Sequence, residues 1–462
     1  MTLDLNALIA ERRTEKFELF ERHMNNQLVR VLKTIGYDRD YVSAEGAHLI
    51  DADGYRFLDL LSGWGVFAIG RNHPTVIGAL RQVLDAKLAG LVQMDVSLLA
   101  AVLAERLVAR MPWLEKMFFC NSGTEAIEAA VKFSRMATGR AKVVYCEHAF
   151  HGLSYGALSL NGDRIFRDGF GPFVGECHVV PFNDLEALER QLAAGDVAAF
   201  VVEPIQGKGV NLPADDYLKG VERLCRAHGT VFVADEIQTG LGRTGRFLAC
   251  EHWGVEPDIV CLAKGLSGGF VPVGAVACRR RIFDHVFDRM DKAVVHGSTF
   301  AKNDMAMTAG LATLAVLDEE GLIDRAAVAG NAFRDDLARR LAGREFVRAV
   351  RGKGMMIAIE FGPPKSLRLK GAYAVLEKAN PGLYCQLILI PLFGERRVLA
   401  QVAGHGLPVI KLLPPLVCSD DDLLWAADAI EAVVKESESL GGLWDLGRQL
   451  AGHAMKGRTK VA

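Results

Sequence analysis

Ala199-Phe-Val-Val202 and Thr230-Val-Phe-Val-Ala234 are two short apolar runs, and the helical pattern Asp215–His228 lies between them. Other β-rich runs alternate with helical patterns along residues 76–330. These further runs are Met117–Cys120, Lys142–Cys146, Ile259–Leu262 and Val273–Ala277, and a further helical pattern covers Thr124–Met136. The alternation predicts an α/β fold in which helices cover both faces of a mainly parallel sheet.

Both ends of the chain carry different patterns. The predicted elements are a helix over residues 5–35, a hairpin over His48–Leu60 around the turn signal Asp51-Ala-Asp-Gly54, a helix over Asn331–Leu341, strands near 347–361 and a final helix from Asp420. We expect residues 1–75 and 331–462 to form a smaller α+β domain with dimer contacts, beside a large domain of residues 76–330. The last dozen residues are predicted to be a frayed tail.

Composition excludes several classes of protein. The 462 residues carry 54 Lys and Arg against 56 Asp and Glu, which argues against a nucleic-acid partner. The longest uncharged stretch, Ala379–Gly394, is interrupted by two prolines and is shorter than the ~18–20 residues of a membrane helix. Nine scattered cysteines without a C-x-x-C pair indicate no metal site and a reducing cytoplasm. An acidic start, Met1-Thr-Leu-Asp4, is unlike a signal peptide.

In an open α/β sheet, ligands bind at the carboxyl ends of the strands. Asn121-Ser-Gly-Thr-Glu125 follows the first run of the large domain and opens a helix. Ser122 and Thr124 are good helix caps, and Gly123 allows close approach of a ligand to the backbone. Such a helix start binds anions, a phosphate in particular, although an ordinary cap without a ligand has the same pattern.

An acid and a lysine follow two other runs. Asp235 could be a cap, a metal ligand, or the group that keeps a heterocyclic nitrogen protonated. Lys264 ends an apolar run in Ala263-Lys264-Gly265, where it could extend to the surface or, if desolvated, form a Schiff base. Together with the phosphate site, these residues predict pyridoxal 5′-phosphate as cofactor. Phe150 could stack on its ring or be a core phenylalanine.

The sequence resembles the class III aminotransferases of fold type I, the ornithine, acetylornithine and putrescine type, from about Val42 to Val434. The motifs that carry the resemblance are Phe119-Cys-Asn-Ser-Gly-Thr-Glu-Ala126, Ala149-Phe-His-Gly152, Val202-Glu-Pro-Ile-Gln-Gly207, Ala234-Asp-Glu-Ile-Gln-Thr-Gly-Leu-Gly-Arg-Thr-Gly245, Cys261-Leu-Ala-Lys-Gly265 and His296-Gly-Ser-Thr299.

The resemblance implies a role for each matching residue. Lys264 is the Schiff-base lysine and proton shuttle, Asp235 pairs with the pyridinium nitrogen, and Gln238 bonds the phenolic oxygen. The other cofactor-binding residues implied are Ser122, Gly123 and Thr124 on the phosphate, Phe150 stacked on the ring, His151 and Glu203 beside it, and Thr299 from the second subunit of a homodimer.

Three positions differ from the amino-acid-specific members of the family. Leu153 stands where they carry an arginine for a substrate carboxylate, Lys208 where they carry a glutamate that pairs with an arginine gate, and Lys411 where an arginine grips the α-carboxylate. Lysine lacks the bidentate fork of arginine. These three residues and Trp64 are the predicted substrate contacts, together with the apolar stretches Leu383–Phe393 and Val398–Val402, which could instead be core with one strand.

We therefore expect an aminotransferase that moves an amino group between an amino-acid donor and a bulky or apolar terminal amine or aldehyde without an α-carboxylate. The alternatives are a diamine or ω-amino-acid aminotransferase of the putrescine, ornithine or 4-aminobutyrate type, a class III aminomutase or racemase, and a catalytically dead interaction protein. The presence of both Lys264 and Asp235 argues against the last of these.

Overall fold

A computed structural model describes residues 3–92, 94–379, 381–439 and 441; the predicted frayed tail lies outside them. Within these residues, the strands are β1 Tyr41–Glu45, β2 His48–Asp51, β3 Arg56–Asp59, β4 Lys116–Cys120, β5 Lys142–Cys146, β6 Cys177–Val180, β7 Val197–Val202, β8 Val231–Asp235, β9 Ile259–Leu262, β10 Gly274–Cys278, β11 Val347–Lys353, β12 Met356–Phe361, β13 Val398–Leu399, β14 Gln401–Val402 and β15 Val409–Leu412.

The α-helices and helical turns are α1 Leu5–Arg12, α2 Lys16–His23, α3 Asn26–Ile35, α4 Ser62–Gly65, α5 Pro74–Asp85, α6 Leu98–Val108, α7 Gly123–Thr138, α8 Tyr155–Leu158, α9 Arg164–Arg167, α10 Leu185–Leu192, α11 Tyr217–His228, α12 Arg280–Val286, α13 Asp304–Glu319, α14 Leu322–Arg340, α15 Leu367–Ala379, α16 Leu383–Gly394 and α17 Asp420–Glu436. Short 3₁₀ helices cover Arg13–Glu15, Ala249–Trp253, Lys264–Ser267 and Met290–Lys292.

A seven-stranded sheet in the order β4-β10-β9-β8-β7-β5-β6 forms the centre of the fold. Strand β10 is antiparallel to both of its neighbours, and the pairs from β9 to β6 are parallel. The predicted mainly parallel sheet is therefore confirmed, with β6 as a strand that the sequence pattern missed. Strands β7 and β8 are buried along their whole length, as expected for strands covered on both faces.

Two smaller sheets lie at the ends of the chain. The predicted hairpin is confirmed as β2 and β3, and β13 from the C-terminal part pairs in parallel with β3. The second small sheet has the order β11-β12-β15-β14 and includes the predicted strands near 347–361. Both chain ends thus share one sheet, whereas the boundaries at residues 75 and 330 stay predictions.

The prediction of one continuous helix over residues 5–35 is wrong. It is divided into α1, a 3₁₀ turn, α2 and α3, because Asn25 is extended and its side chain accepts a hydrogen bond from the Leu28 N–H at 3.0 Å. Asparagine at this position caps a new helix instead of continuing the old one. The predicted helix at 331–341 is the second half of the longer α14.

The apolar stretch Leu383–Phe393 is the buried helix α16, not a strand. Its residues are apolar on all sides, so the periodicity that distinguishes a helix from a strand is absent from the sequence. Two short strands, β13 and β14, follow in the stretch Val398–Val402.

Candidate active site

The largest set of predicted site residues lines one cavity of about 870 Å³. It lies where β4, β5, β7, β8 and β9 end, because parallel strands direct their carboxyl ends to one edge of the sheet. The predicted residues that line it are Trp64, Ser122, Gly123, Thr124, Phe150, His151, Leu153, Glu203, Lys208, Asp235, Gln238, Lys264 and Lys411.

The start of α7 forms one side of the cavity. Ser122 is extended, and its hydroxyl accepts a hydrogen bond from the Glu125 N–H at 3.3 Å, as an N-cap does. A side chain at Gly123 would meet Ile237 at 2.9 Å, so glycine is required for the close packing here. Thr124 and Ser154 bond through their hydroxyls at 2.6 Å. The helix start therefore offers N–H and O–H donors to an anion.

Asp235 forms a buried pair with His151. One carboxylate oxygen lies 2.7 Å from His151 Nδ1, and the other accepts the Ile237 N–H at 3.1 Å. Burial alone would lower the pKa of His151, but the hydrogen bond and charge of Asp235 outweigh it, so the pKa is raised. His151 Nε2 is buried without a hydrogen-bond partner. The carboxylate of Asp235 therefore lies at the cavity, and its position is fixed by His151 and by the Ile237 N–H.

Glu203 lies beside this pair at the end of β7. Its carboxylate accepts the Phe150 N–H at 2.9 Å and the Gly207 N–H at 2.7 Å. Burial raises the pKa of Glu203, and the charge of Asp235 adds to the effect, while His151 opposes it. Through its bond to Phe150, this carboxylate fixes the backbone that carries the aromatic ring.

Lys264 follows β9 and begins a 3₁₀ turn with a φ of 44°, in the left-handed region that non-glycine residues rarely adopt. Burial lowers its pKa, although Asp235 and Glu203 oppose the shift. Backbone strain of this kind is concentrated at functional sites. A lysine with a lowered pKa is more often the free amine, which is the nucleophilic form.

Lys208 is buried and forms an ion pair with Asp163. Its ammonium lies 4.1 Å from the Phe166 ring centroid and 5.4 Å from that of Phe150. The two rings meet edge to face at 5.5 Å. Neither Asp163 nor Phe166 was identified from the sequence, and the only available signal was that a buried lysine needs an acidic partner.

Lys411 on β15 is buried, and its ammonium donates to the Gly207 carbonyl at 2.7 Å and to Gln238 Oε1 at 3.2 Å. The amide of Gln238 in turn donates to the Trp64 carbonyl at 3.1 Å. Burial lowers the pKa of Lys411 to about 7, and the charges of Lys264 and Lys208 lower it further while Glu203 opposes them. Lys411 therefore titrates near neutral pH.

Of the two apolar stretches predicted to contact substrate, only the second lines the cavity. Helix α16 does not line the 870 Å³ cavity, whereas Gln401, Val402 and the next two residues do. Gln401 also accepts the indole N–H of Trp64 at 2.6 Å. Gln401 belongs to the stretch Val398–Val402 that was predicted to contact substrate, but its bond to Trp64 was not predicted.

Thr299, which was predicted to bind the cofactor, lies outside the 870 Å³ cavity. It is exposed and lines a groove of about 1580 Å³ between residues 88–99 and 283–304. The loop that carries it is joined to the start of α7, because Asn121 Nδ2 donates to Ser298 Oγ at 2.6 Å. Within one chain, Thr299 is thus close to the start of α7 but outside the 870 Å³ cavity.

The cavity has the properties that pyridoxal 5′-phosphate requires. A helix start with free donors suits its phosphate, a buried carboxylate suits its ring nitrogen, and a lysine with a lowered pKa suits its aldehyde. In the part of the chain that the structure describes, no group of three or more His, Cys, Asp or Glu side chains could hold a metal ion. No helix there is long and apolar enough to cross a bilayer.

Residues 34–434 match the model of the class-III aminotransferase family. The chain belongs to this family. As a class-III aminotransferase it is 32% identical to aminotransferase PigE of a Serratia species, over 94% of this chain and 55% of that protein, so it spans about half the length of that relative. Members of the family use pyridoxal 5′-phosphate.

Solved structures support the fold-type I assignment of this class-III aminotransferase. It superposes on an ornithine aminotransferase from Toxoplasma gondii with a TM-score of 0.82 and 29% identity, covering 95% of this chain and 99% of that one. An amine transaminase from an uncultivated Pseudomonas species, in the pyridoxal-phosphate-bound form, matches with a TM-score of 0.76 and 29% identity, covering 86% and 94% of the two chains.

Proposed function

We propose that this class-III aminotransferase moves an amino group between an amino-acid donor and a terminal amine or aldehyde that is bulky and apolar and has no α-carboxylate. The observation that carries the proposal is the lining of the 870 Å³ cavity. No arginine is among its described lining residues. Its apolar members include Trp64, Val66, Leu153, Phe166, Phe270 and Val271.

We propose the following roles for the residues that hold the cofactor. Ser122, Gly123 and Thr124 bind the phosphate, and Thr299 of a second copy joins them across a dimer interface. Asp235, supported by His151, pairs with the ring nitrogen. Phe150 stacks on the ring beside Glu203, and Gln238 bonds the phenolic oxygen.

The bound cofactor supplies an electron sink for the carbon that carries the amino group. Lys264 would hold the cofactor through its side-chain amine, and the same amine would carry the proton to and from the carbon that bears the amino group. The negative charge of Asp235 would keep the ring nitrogen of the cofactor protonated. The apolar lining excludes water from the reacting atoms, which favours transfer over hydrolysis.

The two remaining lysines of the cavity differ in their availability to a substrate. Lys208 is neutralised by Asp163 and covered by Phe166, so its charge is balanced within the protein. Lys411 has only neutral oxygens as its hydrogen-bond partners, so it can receive a carboxylate. We therefore assign the carboxylate of the amino-acid donor, such as glutamate or alanine, to Lys411 as a point charge.

A second candidate is a diamine or ω-amino-acid aminotransferase, which the likeness to an ornithine aminotransferase favours. The absence of arginine from the described cavity lining argues for a less polar substrate. An aminomutase would use the same residues, and a net exchange of amino groups between two different substrates separates it from an aminotransferase.

The test is a series of primary amines and aldehydes of increasing chain length, assayed with glutamate or alanine as partner. Burying each methylene contributes about 0.8 kcal/mol, so kcat/KM is expected to rise about fourfold per carbon until the cavity is filled. A sharp preference for ornithine, acetylornithine or 4-aminobutyrate would overturn the proposal of an apolar substrate.

The proposal includes a homodimer in the cytoplasm. The apolar run Leu60–Phe67 is largely covered within one chain, with Trp64 as its exposed member. Exposed apolar side chains instead line the groove that holds Thr299, among them Val96, Met290 and Val294. All nine cysteines are free thiols, as in a reducing compartment.

A further inference from the structure

A row of side chains crosses the small sheet β11-β12-β15-β14. Arg351 on β11 lies opposite Ala358 on β12, and Ala358 lies opposite Lys411 on β15. Residues that lie directly opposite each other in a sheet share one face, so Arg351 and Lys411 extend from the same face with the short side chain of Ala358 between them. Both cations contact one segment, residues 207–210, which we call the 207–210 loop.

Arg351 holds the far end of the 207–210 loop with two hydrogen bonds. Its Nε donates to the Val210 carbonyl at 2.9 Å, and its Nη2 donates to the Gly209 carbonyl at 2.7 Å. The remaining nitrogen pairs with the carboxylate of Glu360 on β12. A planar guanidinium can bind these three oxygens at once, whereas the single ammonium of a lysine does not reproduce this geometry.

The backbone that Arg351 binds is strained. Gly209 and Val210 are consecutive residues with φ of 76° and 49°. A β-branched residue such as valine rarely adopts a positive φ, and such a conformation persists only where the surroundings enforce it. Because Arg351 binds the carbonyls of both residues, its guanidinium stabilises the backbone conformation that the valine side chain opposes.

The near end of the 207–210 loop borders the substrate cavity. Gly207 donates its N–H to Glu203 at 2.7 Å, and its carbonyl accepts a hydrogen bond from the ammonium of Lys411 at 2.7 Å. Gly207 and Lys411 line the cavity, but Arg351 is not among the described residues that do. Arg351 lines a separate pocket of about 400 Å³. It therefore acts on the site through the 207–210 loop.

We propose that Arg351 is a positioning residue for the amino-acid donor. By fixing the 207–210 loop, it keeps the Gly207 carbonyl in place as the acceptor that holds Lys411 in its charged form until a donor carboxylate replaces that carbonyl. This inference rests on the proposed function, in which Lys411 receives the carboxylate of the donor. An amine without a carboxylate does not use Lys411, so its binding does not depend on Arg351.

Three charged side chains face Lys411 in the cavity. Burial lowers the pKa of Lys411 to about 7, Lys264 after β9 and Lys208 of the 207–210 loop lower it further, and Glu203 at the end of β7 opposes them. A hydrogen bond from the ammonium to a carbonyl favours the charged form. Loss of the Gly207 contact is therefore expected to lower the pKa of Lys411 below its value in the wild type.

The first test does not depend on turnover. The holoenzyme is trace-labelled with acetic anhydride over a range of pH, and mass spectrometry of the peptide that contains Lys411 gives the pH midpoint at which this amine becomes reactive. Arg351→Gln is expected to move the midpoint about one pH unit lower, because a hydrogen bond to a charged group is lost. Arg351→Lys keeps the charge without the planar fork, so we expect the same direction of shift.

The sign of the shift decides between two roles of Arg351. If Arg351 acted on Lys411 through its charge alone, Arg351→Gln would move the midpoint to higher pH and Arg351→Lys would leave it in place. Either that pattern or an unchanged midpoint in both variants overturns the proposal. Arg351→Lys decides by itself if Arg351→Gln does not fold.

The second test compares the two substrates. In Arg351→Lys, the KM for glutamate or alanine is expected to be about fivefold higher than in the wild type at pH 7, while kcat and the KM for a primary amine stay unchanged. Arg348→Lys is the matched control, since Arg348 is an exposed arginine on the same strand. It is expected to leave the midpoint and both KM values unchanged. An equal loss for donor and amine in Arg351→Lys would indicate a general structural role and overturn the proposal.

Failure of the proposed function and failure of this inference give different results. If the donor KM of the wild type does not change with pH, the proposed role of Lys411 as the carboxylate-binding residue is wrong. The labelling midpoints still decide whether Arg351 holds Lys411 in its charged form, because they are measured without substrate.

Discussion

The ammonium of Lys208 lies 4.1 Å from the centre of the Phe166 ring and is paired with the carboxylate of Asp163. A positive charge is thus buried at the edge of an apolar cavity without being available to a substrate anion. The face of the Phe166 ring attracts the ammonium of Lys208, and the carboxylate of Asp163 neutralises its charge. A glutamate at this position would face Asp163 and repel it.

Lys208→Met is expected to destabilise the protein by about 1–3 kcal/mol at pH 7, because Asp163 loses its partner while partly buried. Partial burial raises the pKa of Asp163, but the bond and charge of Lys208 outweigh it and lower the pKa. The ion pair therefore stabilises the folded protein fully above the pKa of Asp163 in the unfolded chain, about 3.9. This stabilisation is lost as the pH falls through the lower pKa that Asp163 has in the folded protein. Urea unfolding at pH 7 and at pH 3 checks this.

The control for this prediction is Asp163→Asn in the Lys208→Met background, which is expected to recover part of the lost stability because it removes the unpaired charge. A loss of stability that is equal at pH 7 and at pH 3 would show that packing, not the ion pair, is responsible.

Lys264→Ala is expected to abolish amino transfer and the covalent link that borohydride reduces in the wild type. Lys264 is partly buried in the cavity, its backbone is strained, and burial lowers its pKa. Its free amine is therefore the expected nucleophile. Mass spectrometry after borohydride treatment locates the link. Lys219→Ala, on an exposed position of α11, is the control. Full activity in Lys264→Ala would contradict the assignment.

Asp235→Asn is expected to retain cofactor but to lose roughly 100-fold or more in kcat, because a neutral amide does not keep the ring nitrogen protonated. The same change removes the charge that raises the pKa of His151, so burial then lowers that pKa. Absorbance at the cofactor band, kcat and NMR titration of His151 measure the three effects. An unchanged kcat would exclude a contact between Asp235 and the ring nitrogen.

The Michaelis constant for an amino-acid donor is expected to rise with pH above about 7, by up to about tenfold per pH unit. Burial lowers the pKa of Lys411 to about 7, so the ammonium to which we assign the donor carboxylate is lost as pH increases. An amine without a carboxylate has no such dependence. Lys411→Met is expected to raise the KM for the donor at pH 6 and to flatten the profile. A profile that stays steep in this variant would point to another group.

Phe300→Asp is expected to yield monomers with weakened cofactor binding, because a charge at the dimer interface that we propose here would be desolvated without a partner. Phe300 is 65% exposed in the single chain and lies next to Thr299, which we propose to complete the second subunit's site. Sedimentation and cofactor titration check both effects. Val328→Asp on α14 is the matched control, as it changes an exposed apolar residue elsewhere. An active monomer at assay concentration would rule out the obligate dimer.

Local pattern alone specified much of this protein. Alternating apolar runs and helical periods predicted the central sheet, and the place of Asp235 and Lys264 at strand ends predicted that they meet, since parallel strands end at one edge. The helix break at Asn25 was missed because the apolar periodicity continues across it, and a single capping side chain is a weak signal in the sequence. Helix α16 was missed because a segment that is apolar on every side has no periodicity.

The surroundings of the site depend on contacts between distant parts of the chain. Lys208 and Asp163 are 45 positions apart, and Trp64 and Gln401 are 337 apart. The sequence shows a lysine at an unusual position and an apolar stretch, but it does not show which acid neutralises the lysine or which glutamine holds the indole. Those partners are selected by the packing of whole elements, because a side-chain hydrogen bond forms only where folding brings donor and acceptor within about 3 Å.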